Sequence, residues 1–134
     1  MATLTDDQRA FIRDNAYAAV VTTLRKDGSP HSTVVWIDED GGDVVFNTAR
    51  GRAKDVHLKN DPRVSVLVVD PNDQYKWVAV SGRGEMTEEG ADAHIDRLAK
   101  KYLDADSYPF RNAEEVRVIV RIAPEKVDSS GFES

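Results

Sequence analysis

The chain has 134 residues, no cysteine and a formal net charge of −6. The length is that of one domain, the absence of thiols excludes disulfides, zinc–thiolate sites, iron–sulfur clusters and cysteine nucleophiles, and the acidic balance argues against a general nucleic-acid partner, which needs a basic surface. No apolar run approaches the roughly 18 residues that span a membrane, and the acidic start Met1-Ala2-Thr3-Leu4-Thr5-Asp6-Asp7 has no apolar signal core, so a cytoplasmic protein without a membrane partner is expected.

Thr5-Asp6-Asp7-Gln8 predicts the start of a short helix, with Thr5 as cap, Gln8 at the capping-box position and Asn15 at its end. Tyr17 to Leu24 reads as a strand. Lys26-Asp27-Gly28-Ser29 is a hairpin signal, because glycine tolerates positive φ. A second strand is predicted over His31 to Ile37, a turn over Asp38-Glu39-Asp40-Gly41-Gly42, and a third strand over Asp43 to Thr48. Arg50 to Asn60 reads as a short helix closed ahead of Pro62, since the residue before proline disfavours the helical region. Arg63 to Asp70 is almost continuously apolar and predicts a strand buried on both faces. Tyr75 to Met86 follows as a strand in which Gly82 and Gly84 mark a bulge or a close backbone approach. Thr87 can cap a helix over Glu88 to Leu103, whose Ala91, Ile95, Leu98 and Tyr102 share one face. Asp104 to Asn112 is a loop. Val116, Val118, Val120 and Ile122 then alternate with Arg117, Ile119 and Arg121 as a last strand, with an apolar face on the first set. Residues after Val127 read as a loose tail. The fold expected is mainly β: a six-stranded antiparallel barrel with helices on its rim, forming one domain over residues 1–134 with its core at about 5–127.

No hydrolase elbow or phosphate-loop spacing is present, and His31, His57 and His94 fall in three different elements without a second ligand at metal spacing, so no metal site is expected. The informative stretch is Thr48 to Arg63. It carries Arg50, Arg52, Lys54, Lys59 and Arg63 against Asp55 and Asp61, a local charge of +3 in a chain of −6. Arg50, Arg52 and Lys54 fall where a strand ends and a helix begins, so cationic side chains and free backbone N–H groups converge as a phosphate site would require. A solvated basic helix face is the alternative. Trp36 and Trp77 each sit in a strand, where they either pack in the core or wall a planar cofactor.

Residues 19–32 (Ala-Val-Val-Thr-Thr-Leu-Arg-Lys-Asp-Gly-Ser-Pro-His-Ser), the Arg52-Ala53-Lys54…Leu58…Asp61-Pro62-Arg63 segment and Val78-Ala79-Val80-Ser81-Gly82-Arg83-Gly84 together resemble the pyridoxamine 5′-phosphate oxidase-like split β-barrel superfamily. The resemblance runs over about residues 5–127 in the same element order. It implies an FMN-binding type of split barrel, a homodimer, and two cofactor sites in the dimer cleft. The cofactor phosphate is implied on Thr48, Arg52 and Lys54, with Asn47 and Arg50 beside them. The ring is implied along Ser32, Thr33, Val34, Val35 and Trp36, and the partner subunit would add Lys76 and Trp77.

FMN users of this superfamily tend to place an arginine in strand two, where this chain has Thr33. The chain is more similar to the branch that uses coenzyme F420, a 5-deazaflavin with an anionic oligoglutamate tail that a +3 segment suits. The implied reaction is hydride transfer from the reduced deazaflavin to a conjugated small-molecule acceptor. The cofactor supplies the chemistry, so no catalytic side chain is implied. An FMN-dependent oxidoreductase of the same fold and a non-catalytic cofactor-binding module are the alternatives.

Overall fold

The computed structural model describes residues 2–132. Its elements run α1 (Asp6–Arg13), β1 (Ala19–Leu24), β2 (Pro30–Val35), β3 (Ile37–Asp40), β4 (Asp43–Ala49), α2 (Ala53–Asn60), β5 (Arg63–Asp70), β6 (Asp73–Thr87), α3 (Ala91–Leu103), β7 (Arg117–Ile122) and β8 (Lys126–Ser130). The strands pair antiparallel in the order β2-β1-β5-β6-β7-β4-β3, with β8 alongside β6. β6 is 15 residues long. Its first part pairs with β5 and β8, and its last part, Gly84–Thr87, pairs with β7. One strand therefore belongs to both halves of a barrel that stays open between β2 and β3.

Local chemistry accounts for much of this. At α1 the Thr5 hydroxyl accepts from the Gln8 N–H at 3.1 Å and the Gln8 side chain accepts from the Thr5 N–H at 2.9 Å, the capping box expected. α1 stops at Arg13, and the Asn15 amide covers the Phe11 carbonyl at 3.0 Å. The first hairpin turns at Gly28, whose φ of +87° is a region L side chains rarely adopt. The core is aliphatic, with Phe46, Ile12, Ile37, Leu98 and Ile122 among its largest fully buried side chains.

Eight strands are described where six are expected, for two reasons. The expected second strand ends at Val35, and Ile37–Asp40 pairs with β4 instead. α3 imposes this break. Tyr102 stacks on Trp36 with ring centroids 5.5 Å apart, its hydroxyl accepts from the Ile37 N–H at 3.1 Å and donates to the Tyr17 carbonyl at 2.6 Å, and Lys101 donates to the Ile37 carbonyl at 2.8 Å. These bonds satisfy backbone groups that a continuous strand would satisfy by pairing. The second reason is that the expected loose tail is a strand through Ser130, paired residue for residue with Trp77–Ser81. Glu133 and Ser134 lie outside the described residues.

Five further expectations are settled in detail. α2 begins at Ala53, and α3 begins at Ala91 behind Gly90 rather than behind Thr87, which still belongs to β6. β5 is buried on one face only, and Leu67 on the other face is 38% exposed. Gly82 is no bulge. A Cβ there would stand 2.6 Å from the Ala123 carbonyl oxygen, so glycine permits a close backbone approach. At the last strand Val118, Val120 and Ile122 are buried as the alternation predicts, but Val116 stands before the strand and is exposed, and Arg117 is buried. Among the described residues no helix is long and apolar enough to cross a membrane.

Candidate functional site: a cationic pocket at the barrel split

The break at Trp36 opens a cavity of about 300 Å³. β2 and the break supply Val34, Val35 and Trp36, and β4 supplies Asn47 and Thr48. The start of α2 gives Arg52, Ala53 and Lys54, α3 gives Ile95 and Leu98, and the segment before β7 gives Tyr108 and Phe110. Arg117 of β7 completes the wall. The pocket thus gathers seven of the expected site residues, from β2 and the break after it, from β4 and from the start of α2.

The electrostatics of this wall follow from a shortage of carboxylates. Glu115 bonds to Arg52 on one side and to Arg117 Nη1 on the other, at 3.0 Å for the latter. Burial pushes the Glu115 carboxyl up, but the two arginines together hold it below its ordinary value. Lys54 is half-buried and meets no carboxylate among the described residues. Burial first, and the Arg52 guanidinium second, push its pKa down. Arg52 is also the N-cap of α2 and makes no side-chain capping bond, so the first N–H groups of the helix remain for another acceptor. The lining therefore holds three cations, Arg52, Lys54 and Arg117, against no carboxylate of its own and one shared neighbour.

Arg50 has a different task. Its Nη1 donates to Asp55 at 2.8 Å and its Nε to Glu88 at 2.9 Å. Asp55 is buried and also accepts from the Gly51 N–H at 2.8 Å, with Lys59 at 3.3 Å. Burial alone would raise the Asp55 pKa, yet Gly51, Arg50 and Lys59 bring it below the usual carboxylate value. Arg50 is thus committed to a buried acid and does not line the pocket. Ser32 points outward and shares a 2.8 Å hydrogen bond with Thr22, whereas Thr33 points inward with its hydroxyl oxygen buried and unpartnered. Neither lines the pocket, which β2 meets only at its end, at Val34 and Val35. Lys76 lies over the rings of Phe11 and Phe132, and Trp77 stands opposite Val69 on the sheet.

Tyr108, Phe110 and Arg117 are the lining residues that sequence reasoning missed. Two aromatics flanking Pro109 in a loop were the available signal for the first two. Arg117 offered none, since an arginine in an alternating strand reads as solvent-facing. The histidines serve structure: His57 Nδ1 and the Thr23 hydroxyl share a 2.8 Å hydrogen bond, and the His31 ring meets His57 edge-on at 5.0 Å. Burial, His31, Arg25 and Lys54 all push the His57 pKa down.

The profile of pyridoxamine 5′-phosphate oxidase matches residues 4–131. The chain belongs to this family. Within the pyridoxamine 5′-phosphate oxidase family it is similar to an F420H(2)-dependent biliverdin reductase of Mycobacterium tuberculosis, with 31% identity over 120 residues that cover 86% of this chain and 84% of that protein. A solved F420 reductase superposes with a TM-score of 0.80 at 23% identity, covering 92% of this chain and 98% of its own. A conserved hypothetical protein of M. tuberculosis superposes with a TM-score of 0.75 at 25% identity, covering 95% and 84%. The family's split barrel thus accounts for the open sheet and for a pocket at its opening.

Proposed function

We propose that this chain is an F420H2-dependent reductase, an oxidoreductase that passes a hydride from reduced coenzyme F420 to a conjugated small-molecule acceptor. Lys54 carries the reading: a half-buried ammonium on the pocket, without a carboxylate partner among the described residues, beside an uncapped helix start. The donor set fits the coenzyme's phosphodiester and anionic tail, and the 31% identical relative supports the deazaflavin over other cofactors of the fold. Lys54, Arg52 and the hydroxyl of Thr48 would hold the phosphate, and Val34, Val35 and Trp36 would border the ring. When bound, the deazaflavin supplies the hydride. The protein's own part is to hold the anionic groups and to keep water from the ring with apolar side chains such as Ile95, Leu98 and Phe110.

A homodimer is part of the same proposal. Val34, Val20, Leu67 and Ala79 form one row on the outward face of β2, β1, β5 and β6 by register. Val34 is 69% exposed in the single chain. The row begins at a pocket residue, so a second copy seated on it would cover the open side of the pocket and bring in Trp77, which lies on the same face. Lys76 stands on the opposite side of β6. A cytoplasmic location accords with a reduced cofactor and with the absence of cysteine.

The test is a pair of fluorescence titrations with F420 and with FMN at low and high salt. F420 is expected to bind at least about ten times more tightly, a gap of about 1.4 kcal/mol. The gap should narrow as salt screens the exposed charges. Equal or tighter FMN binding would replace this reading with an FMN-dependent oxidoreductase. Tight F420 binding without turnover across conjugated acceptors would leave a cofactor-binding module.

A further inference from the structure

We infer that Arg117 is the receptor for a carboxylate on the acceptor, and that the acceptor is a planar conjugated acid lying against Tyr108 and Phe110. The inference rests on the reductase reading for its context and on four observations of its own.

Arg117 is only 7% exposed, yet its guanidinium lines the pocket. Nε donates to Asn47 Oδ1 at 2.8 Å and Nη1 to Glu115 at 3.0 Å, while Nη2 meets no protein acceptor among the described residues. A guanidinium presents five N–H donors in a rigid fork, so the fork here is half used. The side chain is also held in place. The Asn47 amide that receives it donates in turn to the Ala91 carbonyl and to His94 Nδ1, both at 3.0 Å.

The charge count points the same way. Three cations face the pocket and Glu115 answers for one of them. A cofactor phosphate on Lys54 and Arg52 balances one more. A remaining cation in a partly buried wall calls for a second anionic group, and the place of Arg117 over the Tyr108 ring, on the aromatic side of the pocket, assigns that group to the acceptor rather than to the cofactor tail.

The surface around Arg117 is flat and aromatic. Its Cζ lies 5.3 Å over the Tyr108 ring. Tyr108 meets Trp36 edge-on at 6.1 Å and Phe110 edge-on at 5.7 Å. Phe110 is 68% exposed, a large ring at the pocket rim without cover from its own chain. A planar conjugated body with a carboxylate at one edge uses both features, whereas a neutral aliphatic acceptor uses neither.

Biliverdin and its dimethyl ester form a matched pair for the test, since both are conjugated and only one carries carboxylates. Binding is read by the absorbance change on the protein loaded with oxidised F420, so no turnover is needed. The free acid is expected to bind about ten times more tightly than the ester. Arg117→Gln should erase most of that ratio and Arg117→Lys should keep part of it, while Phe110→Ala, at an exposed ring, should weaken acid and ester alike. F420 affinity of Arg117→Gln should stay within about twofold. Equal binding of acid and ester, a ratio that survives Arg117→Gln, or no binding of either form to protein that holds F420 would overturn the inference. A tenfold loss of F420 affinity in Arg117→Gln would also overturn it, by assigning Arg117 to a carboxylate of the cofactor tail. If the protein failed to take up F420, the reductase reading would fall, while the acid-to-ester ratio on the cofactor-free protein would still decide the role of Arg117.

Discussion

Asn47 and His94 share a hydrogen bond of 3.0 Å in which the ring nitrogen Nδ1 accepts from the amide. The ring proton must therefore sit on Nε2, which is buried without a partner. Burial, followed by Arg97 and Arg121, pushes His94 from 6.5 down to about 4, although Asp40 pulls the other way.

This gives a signed pH dependence. The folded pKa is depressed, so between about 6.5 and about 4 the unfolded chain takes up a proton that the folded chain refuses. Stability from this residue is complete above the window and falls as pH falls through it, by up to about 1.4 kcal/mol per pH unit. His94→Gln cannot titrate. It should lose less thermal stability than the wild type between pH 7 and pH 5, as followed by circular dichroism. Equal losses in the two proteins would mean that His94 is protonated inside the fold.

Lys54 and Arg50 should separate function from stability. Lys54→Ala removes a desolvated ammonium with no carboxylate partner among the described residues, so F420 binding should weaken by about 1.5–3 kcal/mol with the unfolding midpoint held or slightly raised. Arg50→Ala strips a partner from buried Asp55. It should destabilise the fold by roughly 2–4 kcal/mol and change cofactor affinity less than Lys54→Ala does. Titrations and urea unfolding of both variants check the pair. The opposite pattern would return Arg50 to the phosphate site.

Gly82→Ala tests the crossing of β6 past the β7–β8 connection. The new methyl would press on the Ala123 carbonyl oxygen, a backbone atom that cannot rotate away, and on the Ile122 side chain at 3.1 Å. A loss of about 1–3 kcal/mol in urea unfolding is expected, the scale of an overpacked core. Gly28→Ala sits in open space, so its smaller loss would come from φ alone.

What the sequence made legible was local. Thr5 with Gln8, and Asp27 with Gly28, settle their structure within four residues, and both are found as read. The basic run at Arg52 and Lys54 was legible as charge contrast. The break at Trp36 was not, because its cause is Tyr102 and Lys101, more than sixty residues away. β8 was invisible because Lys126-Val127-Asp128-Ser129-Ser130 pairs through backbone and offers almost no apolar pattern. The partner of Arg50 was hidden for a related reason: Asp55 lies five residues on, in the first turn of α2, and only its burial shows that it claims the guanidinium.

The dimer proposal has a direct check. Static light scattering at micromolar concentration should give twice the chain mass, as an interface of more than about 1,200 Å² would require. Leu67→Asp places a charge in the middle of the outward apolar row and should shift the protein toward monomer, with the fold intact because Leu67 is already partly exposed. A monomeric wild type would remove the second copy from the site.

Because β6 lends its two ends to different neighbours, neither half of the sheet can melt and leave the other whole. Freeing β7 and β4 would strip Gly84–Thr87 of its strand pairing, and freeing β5 and β8 would strip the rest. Trp36 stands at the opening of the barrel and Trp77 on the β5–β8 half, so single-tryptophan versions of the chain report on two places at once. Their fluorescence transitions in urea should coincide, in the manner of an arch whose two piers share one keystone.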